Sequence, residues 1–307
     1  MNKILLWIKA VRAQFFTATA IPIFLGTAIA WNYKGEFNAG LFLLTLMGGI
    51  FIHGGLNFSN DYYDFKTGND VINKTPTPFS GGSRFLREGI LKPSSVLAAS
   101  LICFTVGAVI GLYLNNVCKG NVILILGILG IFLAFFYTGG PVKIGYSRFA
   151  EVSTGVGFGV LMVAGSYYVQ TNELSWRIFP ASLPIAILIA LVQYINQFPD
   201  YEADKQVRKN NTVVRLGKAK AIGLYPFFLI LTYCLIVFEV VVGVFPPLTL
   251  IALLTLPMAV KAIRVALKNF DKINELLPAN ALTIAIHFSV GMLLTAGFFL
   301  DKLIIRK

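Results

Sequence analysis

The stretch GLFLLTLMGGIFIHGGLNFSNDYYDFKTGND, residues 40–70, decides how this chain is read. From Gly40 to Leu56 it carries no charge, and only Thr45 and His53 interrupt it as polar side chains. It then turns into a knot of amides and carboxylates: Asn57, Asn60, Asp61, Asp64, Asn69 and Asp70. A long apolar run of this kind predicts a helix across a bilayer. The acids at its end pose a second question, because the chain as a whole is strongly basic, with a formal net charge of +12.

The remainder of the chain repeats the apolar pattern. Of its 307 residues 56% are hydrophobic and only 13% charged, with a mean hydropathy of +0.74, whereas soluble domains carry about 25% charged residues. Crossing a hydrocarbon core of ~30 Å takes about 20 mostly apolar residues. Such runs fall at roughly 14–32, 39–58, 94–115, 121–138, 152–170, 178–197, 222–243, 247–266 and 281–300. The expected fold class is therefore an all-α polytopic membrane protein with about nine transmembrane helices. Residues 1–307 are expected to form one transmembrane domain, since the runs leave no room for a soluble one. Helices satisfy their backbone groups within each segment, as lipid demands. A barrel would instead show alternating strands of about ten residues.

Orientation follows from Lys and Arg. With the N-terminus in the cytoplasm, that side holds Lys3, Lys9 and Arg12 and the loops after helices 2, 4, 6 and 8, which together carry 20 of the 26 basic residues. The other side carries six, among them Lys302, Arg306 and Lys307 of the C-terminal tail. The positive-inside rule then predicts an integral protein of the cytoplasmic membrane, N-terminus inside and C-terminus outside. The basic balance is that of a cytoplasmic face against anionic lipid, so no nucleic-acid partner is expected. The opening MNKILLWIKAVRAQFF has a signal-peptide look, with Ala28-Ile29-Ala30 as a cleavage-like site. Lys9 and Arg12 break its apolar core, however, and a retained helix is the expectation. Cys103, Cys118 and Cys234 lie far apart, without metal or redox spacing.

Six of the fourteen acids fall in two short stretches: NFSNDYYDFKTGND (57–70) and QYINQFPDYEAD (193–204). Each stands at the cytoplasmic end of an even-numbered helix. Asn57, Asn60 and Asp64 align with Gln193, Asn196 and Asp200. Residues four apart share a helix face, so Asn60 and Asp64 point one way, as do Asn196, Asp200 and, if Pro199 does not break the helix, Asp204. Stacked carboxylates repel, and water, a basic partner or a metal ion must offset that. Oxygen ligands without His or Cys suit magnesium, which keeps water and substrate phosphate among its ligands. Two such clusters facing each other would hold metal ions with a diphosphate between them. The intervening loops add Lys66, Lys74, Arg84, Arg87 and Lys92 after helix 2, and Lys205, Arg208, Lys209 and Arg215 after helix 6. Gly81-Gly82-Ser83 forms a turn that offers backbone amides to an oxyanion. Paired acids on two related helices also suit a cation-coupled transporter, although transporter sites lie near the midplane.

NDYYD…D and NQFPDYEAD resemble the two aspartate-rich motifs of the UbiA superfamily of intramembrane prenyltransferases. RAQFFTATAIPIFLGTAIA (12–30), PTPFSGGSRFLREG (76–89), FYTGGPVKIGY (136–146), GSYYVQT (165–171) and TVVRLG (212–217) resemble its 1,4-dihydroxy-2-naphthoate polyprenyltransferase branch, which serves menaquinone synthesis. The resemblance implies nine helices around a central cavity, under a cytoplasmic cap made from the loops after helices 2 and 6. By matched position it implies that Asp64, Asp70, Asp200 and Asp204, helped by Asn60 and Asn196, hold Mg2+. Lys66, Arg84, Tyr137 and Lys143 are implied around the diphosphate. Where many members have Lys-Arg-Thr this chain has Asn210-Asn211-Thr212, and Lys209 is expected to stand in for the missing cation. Many members also carry a Tyr-x3-Lys pair, whereas here Lys143 lies six residues beyond Tyr137. Arg12 is an expected acceptor or diphosphate contact, and Glu151 an acceptor or structural residue.

The implied reaction moves a polyprenyl group from polyprenyl diphosphate to a small aromatic acceptor, 1,4-dihydroxy-2-naphthoate in this branch and 4-hydroxybenzoate, homogentisate, a tetrapyrrole or glycerol phosphate in others. His53 and His287 lie alone inside helices 2 and 9, which hints at function or at a hydrogen bond to a neighbouring helix. Glu239, near the outer end of helix 7, is expected to snorkel or pair.

Overall fold

A computed structural model describes residues 2–304, and among them every regular element is helical. Arg306 and Lys307 lie outside the described residues. Among the described residues eight helices are long and apolar enough to cross a membrane: α1 (Ala13–Lys34), α2 (Ala39–Thr67), α3 (Pro93–Val117), α5 (Ala150–Thr171), α6 (Ile178–Gln206), α7 (Lys218–Val241), α8 (Pro247–Asn269) and α9 (Ile273–Ile304). The fourth apolar run, expected to match the others, forms only the 14-residue α4 (Val122–Phe135). At 1.5 Å per residue it measures about 21 Å, short of a full crossing. Its run continues into Phe136, Tyr137 and Thr138, but there the chain leaves the helix for the Gly139-Gly140-Pro141 turn.

The packing divides into two parts. A dominant core joins α1 and α5 to α9, with Leu25, Ile29, Tyr167, Ile185, Leu188, Phe198, Tyr225, Val290 and Phe298 all inaccessible. The expected cleavage-like stretch Ala28-Ile29-Ala30 belongs to this core. Helices α2 and α3 pack tightly on each other, and α4 rests against both. Close approach relies on small residues, since lipid provides no hydrophobic drive between helices. At Gly159 of α5 an added Cβ would stand 2.4 Å from Ala186 Cβ of α6, so nothing larger fits that crossing. Leu101, Ile102, Val109 and Leu112 of α3, Ile125 and Ile128 of α4, and Ile230 and Phe238 of α7 remain exposed. Such broad apolar faces are those of helices dissolved in lipid.

Polar residues within the helices divide by environment. The Thr19 hydroxyl meets His53 Nδ1 at 2.8 Å. His287 has its Nε2 buried with no hydrogen-bond partner among the described residues. Glu239 neither snorkels nor pairs: it is buried, and both carboxyl oxygens lack a hydrogen-bond partner.

Candidate active site

The ends of α2 and α6 line one chamber, and their acids face it together. On α2, Asn60 Nδ2 donates to Asp64 Oδ2 at 3.1 Å, the contact that i, i+4 spacing predicts. Asp64 Oδ1 accepts from the Tyr146 hydroxyl at 2.9 Å. On α6, Pro199 does not end the helix, so Asn196, Asp200 and Asp204 keep one face. A proline removes the hydrogen bond to the carbonyl four residues back. Here that carbonyl, of Ile195, accepts from Asn280 Nδ2 of α9 at 3.2 Å, and the same amide donates to Asn196 Oδ1 at 2.7 Å.

The segment after α2 then folds over α6. A single helical turn, Asn69–Ile72, directs Asn69 Nδ2 to Asp204 Oδ1 at 3.0 Å, and Asn73 Nδ2 reaches Asp200 Oδ1 at 2.9 Å. Asn211, which caps the short helix Thr212–Leu216, donates to the other Asp204 oxygen at 2.7 Å. Each carboxylate of the second motif is thus oriented by an amide from outside its own helix. The Gly81-Gly82-Ser83 turn is pinned by Asp61, whose carboxylate accepts from Ser83 N at 3.2 Å. Gly82 has φ +68°, and a Cβ there would lie 2.4 Å from Asp70 Oδ2, so the turn and Asp70 are fitted to each other.

Two cations enter this cluster. Lys209 Nζ stands 3.5 Å from Asp204 and 3.7 Å from Asp64, so carboxylates of both motifs lie within 4 Å of one nitrogen. Burial pulls the Lys209 pKa down, but Asp204 and Asp64 more than reverse this and hold the ammonium well above its ordinary value. Arg12 has left-handed backbone (φ 54°) between the short helix Lys3–Ala10 and α1. Its Nη2 donates to Asn60 Oδ1 at 3.1 Å and lies 3.4 Å from Asp61. Asp70 is pushed well above the usual carboxylate range, first by burial and then by Asp64 and Asp61.

These side chains line a chamber of about 210 Å³ that includes Arg12, Asn60, Asp64, Asp70, Asn196, Asp200, Asp204, Lys209 and Tyr137. Lys66, Arg84 and Lys143 are not in its lining. Lys66 lies over the Tyr62 ring at 6.0 Å, Lys143 over the Tyr146 ring at 5.4 Å, and the Arg84 guanidinium donates to Pro76 O at 3.0 Å. Glu151 is also outside, tied by Gln197 at 2.9 Å and Thr212 at 3.0 Å, which is a brace between helices. Asn73, Tyr146 and Gln197, which sequence reading did not single out, complete the site, with Asn69, Asn211 and Gln193, which it named without a role there. Gln193 is held by Thr154 and in turn donates to the Tyr137 hydroxyl.

The lining fits a divalent cation. Four carboxylates face two cationic side chains, an excess of buried negative charge that is costly unless offset. The amide oxygens Asn69 Oδ1 and Gln197 Oε1 are buried without partners. Among the described residues no three Asp, Glu, His or Cys side chains cage an ion unaided. Magnesium binds through one or two carboxylates and takes the rest of its shell from water and phosphate oxygens, so such a cage is not required of this lining.

A second, apolar cavity of about 400 Å³ extends from the chamber between α2, α3, α4 and α5. His53, Leu56, Tyr137, Thr154 and Phe158 line both spaces and mark the boundary, or neck, where the two adjoin.

The sequence matches the model of the UbiA prenyltransferase family over residues 19–297. It is 28% identical to a 1,4-dihydroxy-2-naphthoate octaprenyltransferase of Bacillus subtilis, covering 97% of this chain and 93% of that one. It is equally similar, at 28%, to a 2-carboxy-1,4-naphthoquinone phytyltransferase of Synechocystis, over 95% and 92% of the two chains. Among solved structures, a UbiA homologue from Archaeoglobus fulgidus bound to DMAPP and Mg2+ superposes with a TM-score of 0.68 at 15% identity, covering 93% of this chain and 99% of that one.

Proposed function

Because the chain belongs to the UbiA prenyltransferase family, we propose that this membrane enzyme transfers a polyprenyl group from polyprenyl diphosphate to 1,4-dihydroxy-2-naphthoate, releasing diphosphate and CO2 and leaving a prenylated hydroquinone that a separate oxidation converts to demethylmenaquinone. The observation that carries this reading is an acidic chamber set against an apolar cavity, with five residues lining both. A prenyl diphosphate has the same two-part chemistry, a polyanionic head on a hydrocarbon tail. Family membership selects transfer chemistry over the cation-coupled transport that paired acids also suggest. The names of the two relatives support a naphthoate-type acceptor.

On this reading Asp64, Asp70, Asp200 and Asp204, with Asn60 and Asn196, would hold magnesium, which when bound neutralises charge on a diphosphate leaving group. Lys209 and Arg12 add fixed positive charge to the same chamber. Asn69, Asn73 and Asn211 keep the carboxylates of α6 turned inward, as supporting hydrogen bonds do around ligating groups. The apolar cavity holds the tail and excludes the water that would quench an allylic cation. Tyr137 and Phe158 at the neck bring aromatic faces to the position where that cation develops. The electron-rich ring carbon of the acceptor attacks there, and the acceptor's carboxylate is lost. The basic loops support a cytoplasmic position for the chamber.

The test is product mass. Purified enzyme given one labelled prenyl diphosphate and a panel of acceptors (1,4-dihydroxy-2-naphthoate, 4-hydroxybenzoate, homogentisate, a tetrapyrrole and glycerol phosphate) is expected to prenylate the naphthoate. A product from another acceptor alone would overturn the assignment.

A further inference from the structure

His53 stands apart from the acids and amides of the chamber. It lies at the neck, and its ring is flanked by Phe158 (centroids 4.7 Å apart, 67°) and Phe16 (5.3 Å, 66°). If a diphosphate sits in the chamber and its tail in the apolar cavity, the first carbon of the tail lies at this neck, and so does the ring that attacks it. His53 is the one imidazole in the lining of either space.

Its hydrogen bonding occupies one ring nitrogen and leaves the other facing no protein partner. The Thr19 hydroxyl lies 2.8 Å from Nδ1. Other threonines here, such as Thr171, Thr283 and Thr295, donate to the carbonyl four residues back, but Thr19 makes no such bond. Two arrangements meet this contact: Nδ1–H donating to the hydroxyl, which leaves the Thr19 O–H free, or the hydroxyl donating to Nδ1, which presents an N–H to the neck. In the second arrangement the ring proton resides on Nε2, for which no protein acceptor is present among the described residues, so that it is free for a ligand oxygen. The result is a neutral N–H donor, held in place by one threonine and two aromatic rings, at a neck otherwise lined by Leu56, Tyr137, Thr154 and Phe158.

We infer that His53 is an acceptor-binding residue: its Nε2–H donates to an oxygen carried by the aromatic acceptor, and Thr19 is the positioning residue that sets its tautomer. This rests on the proposed prenyl transfer and names the part of the neck that recognises the second substrate. Such a donor favours acceptors with an anionic or hydroxyl oxygen beside the reacting carbon. It also sorts the site into two sets of groups, the acids and cations for the diphosphate and His53 for the acceptor.

The experiment is steady-state kinetics of purified His53→Leu, His53→Gln and Thr19→Val, varying prenyl diphosphate and 1,4-dihydroxy-2-naphthoate separately. His53→Leu should raise the acceptor KM about tenfold, the effect of one lost hydrogen bond, and leave the KM for prenyl diphosphate within about twofold of wild type. His53→Gln restores an N–H near Nε2 and should recover most of the acceptor affinity. Thr19→Val should raise the acceptor KM, and Thr19→Ser should restore it. With an acceptor lacking the carboxylate, disappearance of the His53→Leu effect would identify the carboxylate as the partner, and its persistence a ring hydroxyl. An unchanged acceptor KM in His53→Leu, or equal rises in both KM values, would overturn the inference. If wild type prenylates no aromatic acceptor at all, it is the proposed function that fails instead. Should His53→Leu not fold, the contrast between Thr19→Val and Thr19→Ser carries the same test.

Discussion

Asn73, in the segment that follows α2, donates to Asp200 of α6 across 2.9 Å, so one acidic motif is oriented by the chain that leaves the other. Its loss should therefore act on the metal requirement more than on folding. Asn73→Ala is expected to raise the magnesium concentration giving half-maximal transfer about tenfold, the lower end of what supporting hydrogen bonds contribute. The check is a magnesium titration of activity at saturating prenyl diphosphate. Asn73→Asp should be worse, because it sets a second carboxylate against Asp200.

Lys209 bridges the two motifs from a side chain that is only 14% exposed. Removing one partner of a buried charge cluster leaves the others uncompensated, typically at about 3–5 kcal/mol. Lys209→Met should lower the melting temperature in the absence of divalent ions. Added Mg2+ should return more of that loss than it adds to the wild type. Thermal unfolding in detergent, with and without magnesium, measures both.

The apolar cavity predicts control of chain length. Gly111, Gly127 and Gly130 line it, and a Cβ added at any of them meets nothing within 4 Å. Gly127→Phe should therefore fold normally, since it also removes a poor helix former, yet fill space that a long tail needs. Competition between short and long prenyl diphosphates should shift toward the shorter one. Unaltered preference would separate this cavity from the tail.

Gly82→Ala tests the fit between the turn and Asp70. The substitution combines a left-handed φ with a Cβ 2.4 Å from Asp70 Oδ2, so the turn must move. Transfer activity should fall at least tenfold, while the melting temperature changes by only a few degrees because the turn lies outside the helix core.

What could be read in the sequence follows from which interactions are local. Asn60–Asp64 and Asn196–Asp200–Asp204 depend on helix periodicity alone, and their faces were legible from spacing. That Pro199 leaves α6 intact was not, because the rescuing amide, Asn280, lies 84 positions beyond Asn196. Asn69, Asn73 and Asn211 look like solvated loop amides until the fold brings Asp200 and Asp204 to them. Composition marked the loops as basic but gave no means of telling which cation turns inward: Lys209 does, and Lys66, Arg84 and Lys143 are outside the chamber lining. The fourth apolar run was overestimated for a similar reason, since hydropathy counts residues and does not register that the helix stops at Phe135.

The central claim is that both motifs serve one diphosphate, and equilibrium binding of a labelled prenyl diphosphate to purified wild type, Asp64→Asn and Asp200→Asn tests it most directly. The account predicts a single magnesium-dependent site that chelation abolishes and that either substitution alone weakens at least tenfold, while both proteins still insert in membranes. Wild-type affinity in either variant, or binding that persists after exhaustive chelation, would contradict it.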